Sequence, residues 1–195
     1  MKNKGHGKAE ILENIEFEKI YNSFTCEHHK LIWQVLRYTG ERISAVLQLK
    51  VSDVYLNPVD SVPFHEITFR ASTRKASPDG NRKTRQVPIV RSLAAELHKY
   101  YPPLYGWLFP SGKVAVHPIT RQTYDEAFRK ALVRCGLNRR GFSLHSPRRT
   151  LITRLSQQGY PLPVIRKVTG HKSIQTLQEY IDVSSPEINR MLESI

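Results

Sequence analysis

The sequence predicts a mainly helical α+β domain carrying a small three-stranded antiparallel sheet. Three observations predict it. Apolar residues recur at helical intervals through most of the chain, and the runs close on Gly40, Gly136, Gly159 and Gly170. Between about residues 49 and 90 the pattern changes to short β-rich runs punctuated by turn residues. The 195 residues are enough for one domain with a real core, and no repeat, low-complexity tract or Pro/Gly-rich linker divides them.

The elements follow in order. Residues 1–9 are expected to be disordered. ILENIEFEKIYNSF spaces Ile11, Ile15, Ile20 and Phe24 as one helix face. HKLIWQVLRYTG gives a second helix ended by Gly40, and ISAVLQL a third. The run 49–56, then HEITF, then RQVPIV supply the three strands. The last two flank ASTRKASPDGNRKT, whose Pro-Asp-Gly marks a hairpin with a long basic tip. SLAAELHKYY and TRQTYDEAFRKALVRCG are helices, the second capped by Thr120 or Thr123. In SPRRTLITRLSQQG, Ser146 is expected at the N-cap and Pro147 at the first helical position, with Leu151, Ile152 and Leu155 buried. PVIRKVTG is a short helix closed by Gly170. SIQTLQEYI begins another at Ser173 and carries Tyr180 in its second turn or just beyond.

Composition narrows the function. The net charge is +13, which points to a polyanionic partner, most often nucleic acid, ahead of an anionic membrane or an acidic protein. The charge is segregated. Residues 129–154 hold eight Lys/Arg and no acid, and residues 70–91 hold seven against Asp79 alone. That reads as a phosphate-facing surface. No apolar run approaches the ~20 residues of a membrane span, and the N-terminus has no apolar signal region. Cys26 and Cys135 make no disulfide framework, so a reducing, cytoplasmic setting is expected. Cys26, His28 and His29 lack a second ligand pair at zinc spacing, so no metal is expected.

One constellation carries chemistry. TGERIS places Arg42 between two helices. LHSPRR sets His145 and Arg148 three apart at a helix start. Gly170-His171 is followed nine positions after the histidine by Tyr180. With the basic hairpin RKASPDGNRKTRQVP, these pieces resemble the catalytic domain of the tyrosine recombinase (phage-type integrase) family. The resemblance covers about residues 10–183.

The resemblance implies DNA strand cleavage and rejoining through Tyr180, and the chemistry explains the residue types. A tyrosine hydroxyl has a pKa near ~10 and needs activation as a nucleophile. Attack on a phosphodiester builds charge on the non-bridging oxygens, which Arg42 and Arg148 are suited to clamp with paired planar donors. His145 can serve as base or as a further donor, and His171 can donate to the phosphate. The leaving 5′-oxygen takes its proton from a hairpin lysine, Lys75 ahead of Lys83. A phosphotyrosyl bond keeps the energy of the broken ester, so neither ATP nor a cofactor is expected. Two positions depart from the family pattern. Ala45 stands where an acid is common, three residues after the first arginine, and Arg149 stands where histidine is frequent after Arg148.

The domain expected from this reading is a catalytic unit at 10–183, without an N-terminal core-binding domain. A helical tail at 184–195, with Ile188, Met191, Leu192 and Ile195 on one face, would dock into a neighbouring protomer or pack on its own domain. The expected partners are double-stranded DNA and further copies of the chain, a tetramer on DNA. Two other readings remain open at this point: a type IB topoisomerase, and a DNA-binding regulator on an idle recombinase scaffold.

Overall fold

The structure, a computed structural model, describes residues 9–74, 80–112, 117–170 and 173–178. The chain runs α1 (Asn14–Ser23), α2 (Glu27–Thr39), α3 (Ile43–Leu47), β1 (Tyr55–Asn57), β2 (Val62–Pro63), β3 (Glu66–Phe69), β4 (Arg85–Pro88), α4 (Arg91–Lys99), α5 (Arg121–Arg134), α6 (Ser146–Gln157), α7 (Leu162–Thr169) and α8 (Ile174–Gln178). The mainly helical class is as expected.

α2 is the central element. Leu31, Ile32, Trp33, Val35 and Leu36 are all buried, so the helix is apolar around most of its girth and is packed on several sides. Trp33 makes tilted ring contacts with Phe17, Phe24 and Phe128, tying α1 and α5 to it. Its indole N–H donates to the Phe17 carbonyl at 3.1 Å. A second, smaller cluster of Ile152, Ile165 and Leu177 joins α6, α7 and α8.

Three expectations are corrected. The first concerns α1, where Ile11 and Ile15 are exposed while Leu12 and Phe17 are buried. The helix starts only after Glu13, so Ile11 lies on an extended lead-in, outside the helical period. The second concerns the strands. Among the described residues they form two two-stranded antiparallel sheets, β1–β2 and β3–β4, where one three-stranded sheet was expected. The middle of 49–56 is a tight 3₁₀ turn at Val51–Asp53, and β1 begins only at Tyr55. The first pairing closes just past Pro63, where the Phe64 N–H donates to the Val54 carbonyl at 2.8 Å, and the chain bends at His65 before pairing again. The third concerns α6, which begins one residue earlier than expected. His145 is at the cap and Ser146 is inside, its hydroxyl accepting the Ser143 N–H at 3.0 Å. On this helix Ile152 is buried, while Leu151 and Leu155 are half-buried.

The hairpin β3–β4 pairs Glu66 with Pro88 and Phe69 with Arg85, as its sequence predicts. Its root is fixed by Arg70, whose Nε lies 3.0 Å from the Asp53 carboxylate. The expected disorder at 1–9 and the tail at 184–195 lie outside the described residues, apart from Ala9.

Candidate active site

Four backbone ends meet beside the hairpin: the C-termini of α2 and α7 and the N-termini of α3 and α6. The turn after α2 needs Gly40. Its φ is +59°, and a Cβ there would stand 2.6 Å from Leu151 Cδ2. That turn delivers Glu41 and Arg42 in succession. Arg42 caps α3 and is half-buried. One turn into α6, Arg148 is 2% exposed.

The last carbonyls of a helix have no partner within it and carry its partial negative charge. Here two guanidinium groups serve both helix ends at once. Arg148 Nη1 donates to the carbonyls of Gly40 and, at 2.9 Å, Thr169. Arg85 Nη2 donates to Thr39, at 2.9 Å, and to Val168. The end of α2 and the end of α7 are therefore bridged twice. α7 closes on Gly170 in the left-handed conformation, as its sequence predicts.

The counter-charge is Glu41, 1% exposed. Its Oε2 lies 2.8 Å from Arg85 Nη1 and 3.3 Å from Arg74 Nε, and its Oε1 accepts the Arg42 N–H at 2.9 Å. Burial, the largest single influence, pushes its pKa up. Arg85, the Arg42 N–H and Arg74 together outweigh burial and hold the carboxyl below its ordinary range. Arg74 also donates to the Lys83 carbonyl at 2.8 Å, which ties the two sides of the hairpin tip together.

His145 lies at the edge of this cluster, its side chain partly open to solvent. Partial burial first, then the charges of Arg121, Arg148 and Arg42, push its pKa below the ordinary value. Both influences favour the neutral ring, the form with a lone pair to accept a proton. The structure brings together Arg42, His145 and Arg148 of the residues expected at the site. Lys75, His171 and Tyr180 lie outside the described residues, and the alternative lysine, Lys83, is exposed.

Sequence reasoning missed Glu41, Arg74, Arg85 and Arg121. The signal for Glu41 was present, as the single acid in a stretch whose expected acid is replaced by Ala45. The charge reading also needs correction. Part of the basic run at 129–154 faces the protein itself. Arg149 donates to the Ala9 carbonyl, Arg154 to Leu12 and Asn14, and Arg134 to Ser23, while Arg140 pairs with Glu16. The lead-in to α1 runs across α6 as an extended strand whose carbonyls need donors.

A family model described as the phage integrase family matches residues 10–187. A tyrosine recombinase of Pseudothermotoga lettingae is 28% identical over 193 residues, which is 95% of this chain and 59% of that protein. Tyrosine recombinase XerD of Rickettsia bellii is 29% identical over 81% of this chain and 52% of its own length. The chain thus spans between half and three-fifths of these curated relatives. Among solved structures, XerA recombinase superposes with a TM-score of 0.70 at 21% identity, over 96% of this chain and 66% of that one.

Proposed function

Because the chain belongs to the phage integrase family, we propose that it acts as a site-specific recombinase or integrase. It breaks and rejoins double-stranded DNA through a 3′-phosphotyrosyl intermediate on Tyr180. The Tyr180 oxygen attacks phosphorus as its proton passes to His145. The P–O5′ bond breaks, and Lys75 supplies the proton that the departing 5′-oxygen needs. Arg42, Arg148 and His171 take the charge that builds on the non-bridging oxygens. Rejoining runs the same transfers backward from the 5′-hydroxyl of a partner strand, so the bond count balances without an external energy source.

The observation that carries this reading is the meeting of Arg42, at the start of α3, with His145 and Arg148, at the start of α6, which gathers two guanidinium groups and an imidazole at one place. Burial and then the charges of Arg121, Arg148 and Arg42 favour the neutral imidazole, the form that can accept a proton. Residues 10–183 are the catalytic unit in this reading. Further copies of the chain assemble with it on DNA, where the segment 184–195 docks between protomers.

The test mixes the protein with fragmented genomic DNA in EDTA, quenches with detergent, and sequences the DNA that stays linked to protein. A Tyr180→Phe variant runs in parallel. Adducts in the wild type alone are expected, clustered at a limited set of sites. Adducts that persist in the variant would remove Tyr180 from its role. Intact DNA binding with no adduct in either protein would favour a DNA-binding regulator.

A further inference from the structure

We propose that Glu41 is a positioning residue for this reaction, setting three parts of the catalytic apparatus in register from one buried carboxylate. The proposal rests on the reading of Lys75 and His171 as catalytic. Two of the three links are direct contacts of the carboxylate, and the third runs through Arg85. Oε1 holds the backbone N–H of Arg42 itself, at 2.9 Å. Oε2 holds Arg74, the residue that leads into Lys75, at 3.3 Å. The same oxygen holds Arg85 at 2.8 Å, and Arg85 in turn holds the Val168 carbonyl, three residues ahead of His171.

Two further contacts close the circuit. Arg74 Nη2 stands where a Cβ on Gly170 would meet it at 2.7 Å, so the hairpin arm and the end of α7 touch. Arg148 reaches the carbonyls on either side, Gly40 and Thr169. The residues before Lys75 and before His171 are thus moored to the turn that carries Arg42.

Such a network has little to offer as plain stability. Burying a carboxylate and two guanidinium groups costs solvation that their attraction roughly repays, and apolar residues of similar volume often do as well. A network of charge-assisted hydrogen bonds does fix directions and distances. Catalytic groups on a hairpin tip and after a helix end need such fixing, because misplacement by about 1 Å can cost on the order of 10² in rate. The carboxylate also answers the departure at Ala45. The acid sits on the other side of Arg42 in the sequence and accepts from its backbone.

The test uses the whole chain with three changes: Glu41→Gln, the pair Glu41→Leu with Arg85→Met, and Glu41→Asp. The pair removes Glu41 and Arg85 together, so Arg74, still bound to the Lys83 carbonyl, is the cation that loses its counter-charge, and exchange in α5 separates positioning from folding. Hydrogen exchange is followed at 71–74 and 166–170, with α5 as an internal reference, beside duplex DNA affinity and adduct rate at saturating DNA. The expected result for the pair is DNA affinity within about threefold of wild type and unchanged exchange in α5. Exchange at 71–74 and 166–170 rises at least about tenfold, and the adduct rate falls on the order of 10²-fold. Glu41→Asp recovers part of that rate. If the neutral variants do not fold, Glu41→Asp carries the test, with smaller shifts in the same two segments.

Unchanged exchange in both segments overturns the proposal, and so does a wild-type adduct rate in the pair. A wild type that forms no adduct refutes the recombinase reading instead, and the exchange data still judge Glu41.

Discussion

Replacing Gly170 by alanine probes the joint between α7 and the hairpin, and a built-in control sharpens it. Gly170 and Gly159 both end helices with positive φ, +66° and +79°. An L-residue in that conformation costs roughly 1–2 kcal/mol. At Gly159 a Cβ would meet nothing within 4 Å, so Gly159→Ala should show that backbone cost alone. At Gly170 the Cβ would lie 2.7 Å from Arg74 Nη2, 2.9 Å from Arg85 Cδ and 3.3 Å from Arg85 Nε. These side chains cannot swing aside freely, because both are bound to Glu41 and Arg85 is also bound to Thr39 and Val168. Overpacking of this kind adds ~1–3 kcal/mol. Since ~1 kcal/mol shifts the melting temperature by about 2–4 °C in a chain of this size, Gly170→Ala should melt roughly 2–12 °C below Gly159→Ala. Differential scanning calorimetry of the two variants beside the wild type measures it. Equal melting temperatures would refute the packing of Arg74 and Arg85 against Gly170.

Two further predictions concern single groups of the site. His145, followed by NMR in the free protein, should titrate below its ordinary 6.5 and rise when duplex DNA brings a phosphate among Arg42, Arg121 and Arg148. A value at or above 6.5 without DNA would contradict the cationic surroundings. The sign for stability follows, because the unfolded chain takes the proton first. The His145 contribution is complete above pH 6.5 and is lost as the pH falls through the folded value. For Arg148→Lys, the shorter side chain ends before the position of Nη1, the nitrogen that serves both the Gly40 and Thr169 carbonyls, and at least one buried carbonyl loses its donor. A loss of ~1–3 kcal/mol in urea unfolding is expected, with an adduct rate reduced by on the order of 10²–10³. An unchanged unfolding midpoint would refute the bridging role.

Much of the fold was legible because its signals are local. Gly40 and Gly170 sit where the helical periods of α2 and α7 stop, and both adopt the left-handed conformation their positions predict. Thr120 caps α5 by accepting the Thr123 N–H at 3.1 Å, again a relation within one turn. The misreadings are those in which a distant partner decides. Ile11 has the right spacing for a helix face, but Arg149 and Arg154 hold the chain around it in an extended path. The run 49–56 alternates like a strand, yet Asp53 accepts the Lys50 N–H and pairs with Arg70, which favours the 3₁₀ turn. Of the site, Arg42, His145 and Arg148 were legible through a motif. Glu41 belongs to no periodic pattern, and its meaning depends on Arg74 and Arg85 arriving from the hairpin.

The same point changes what the charge of +13 means. Read from sequence, each Lys and Arg counts equally toward a phosphate-facing surface. In the structure Arg85 and Arg148 are almost wholly buried, and Arg134, Arg149 and Arg154 donate to carbonyls of the chain's own first helix and lead-in. Arginine suits that work, since each terminal nitrogen carries two N–H donors and can hold two carbonyls from different elements, as Arg148 Nη1 and Arg85 Nη2 do, and the group stays charged when buried. Five of the 30 Lys and Arg residues therefore serve as internal scaffolding, three at helix C-termini and two along the lead-in to α1, and among the described residues one buried carboxylate, Glu41, balances the charge at the site. The resulting excess of cations adds to burial in lowering the pKa of His145 and makes the site electropositive. The charge that assembles the fold is in this way also the charge that prepares the site.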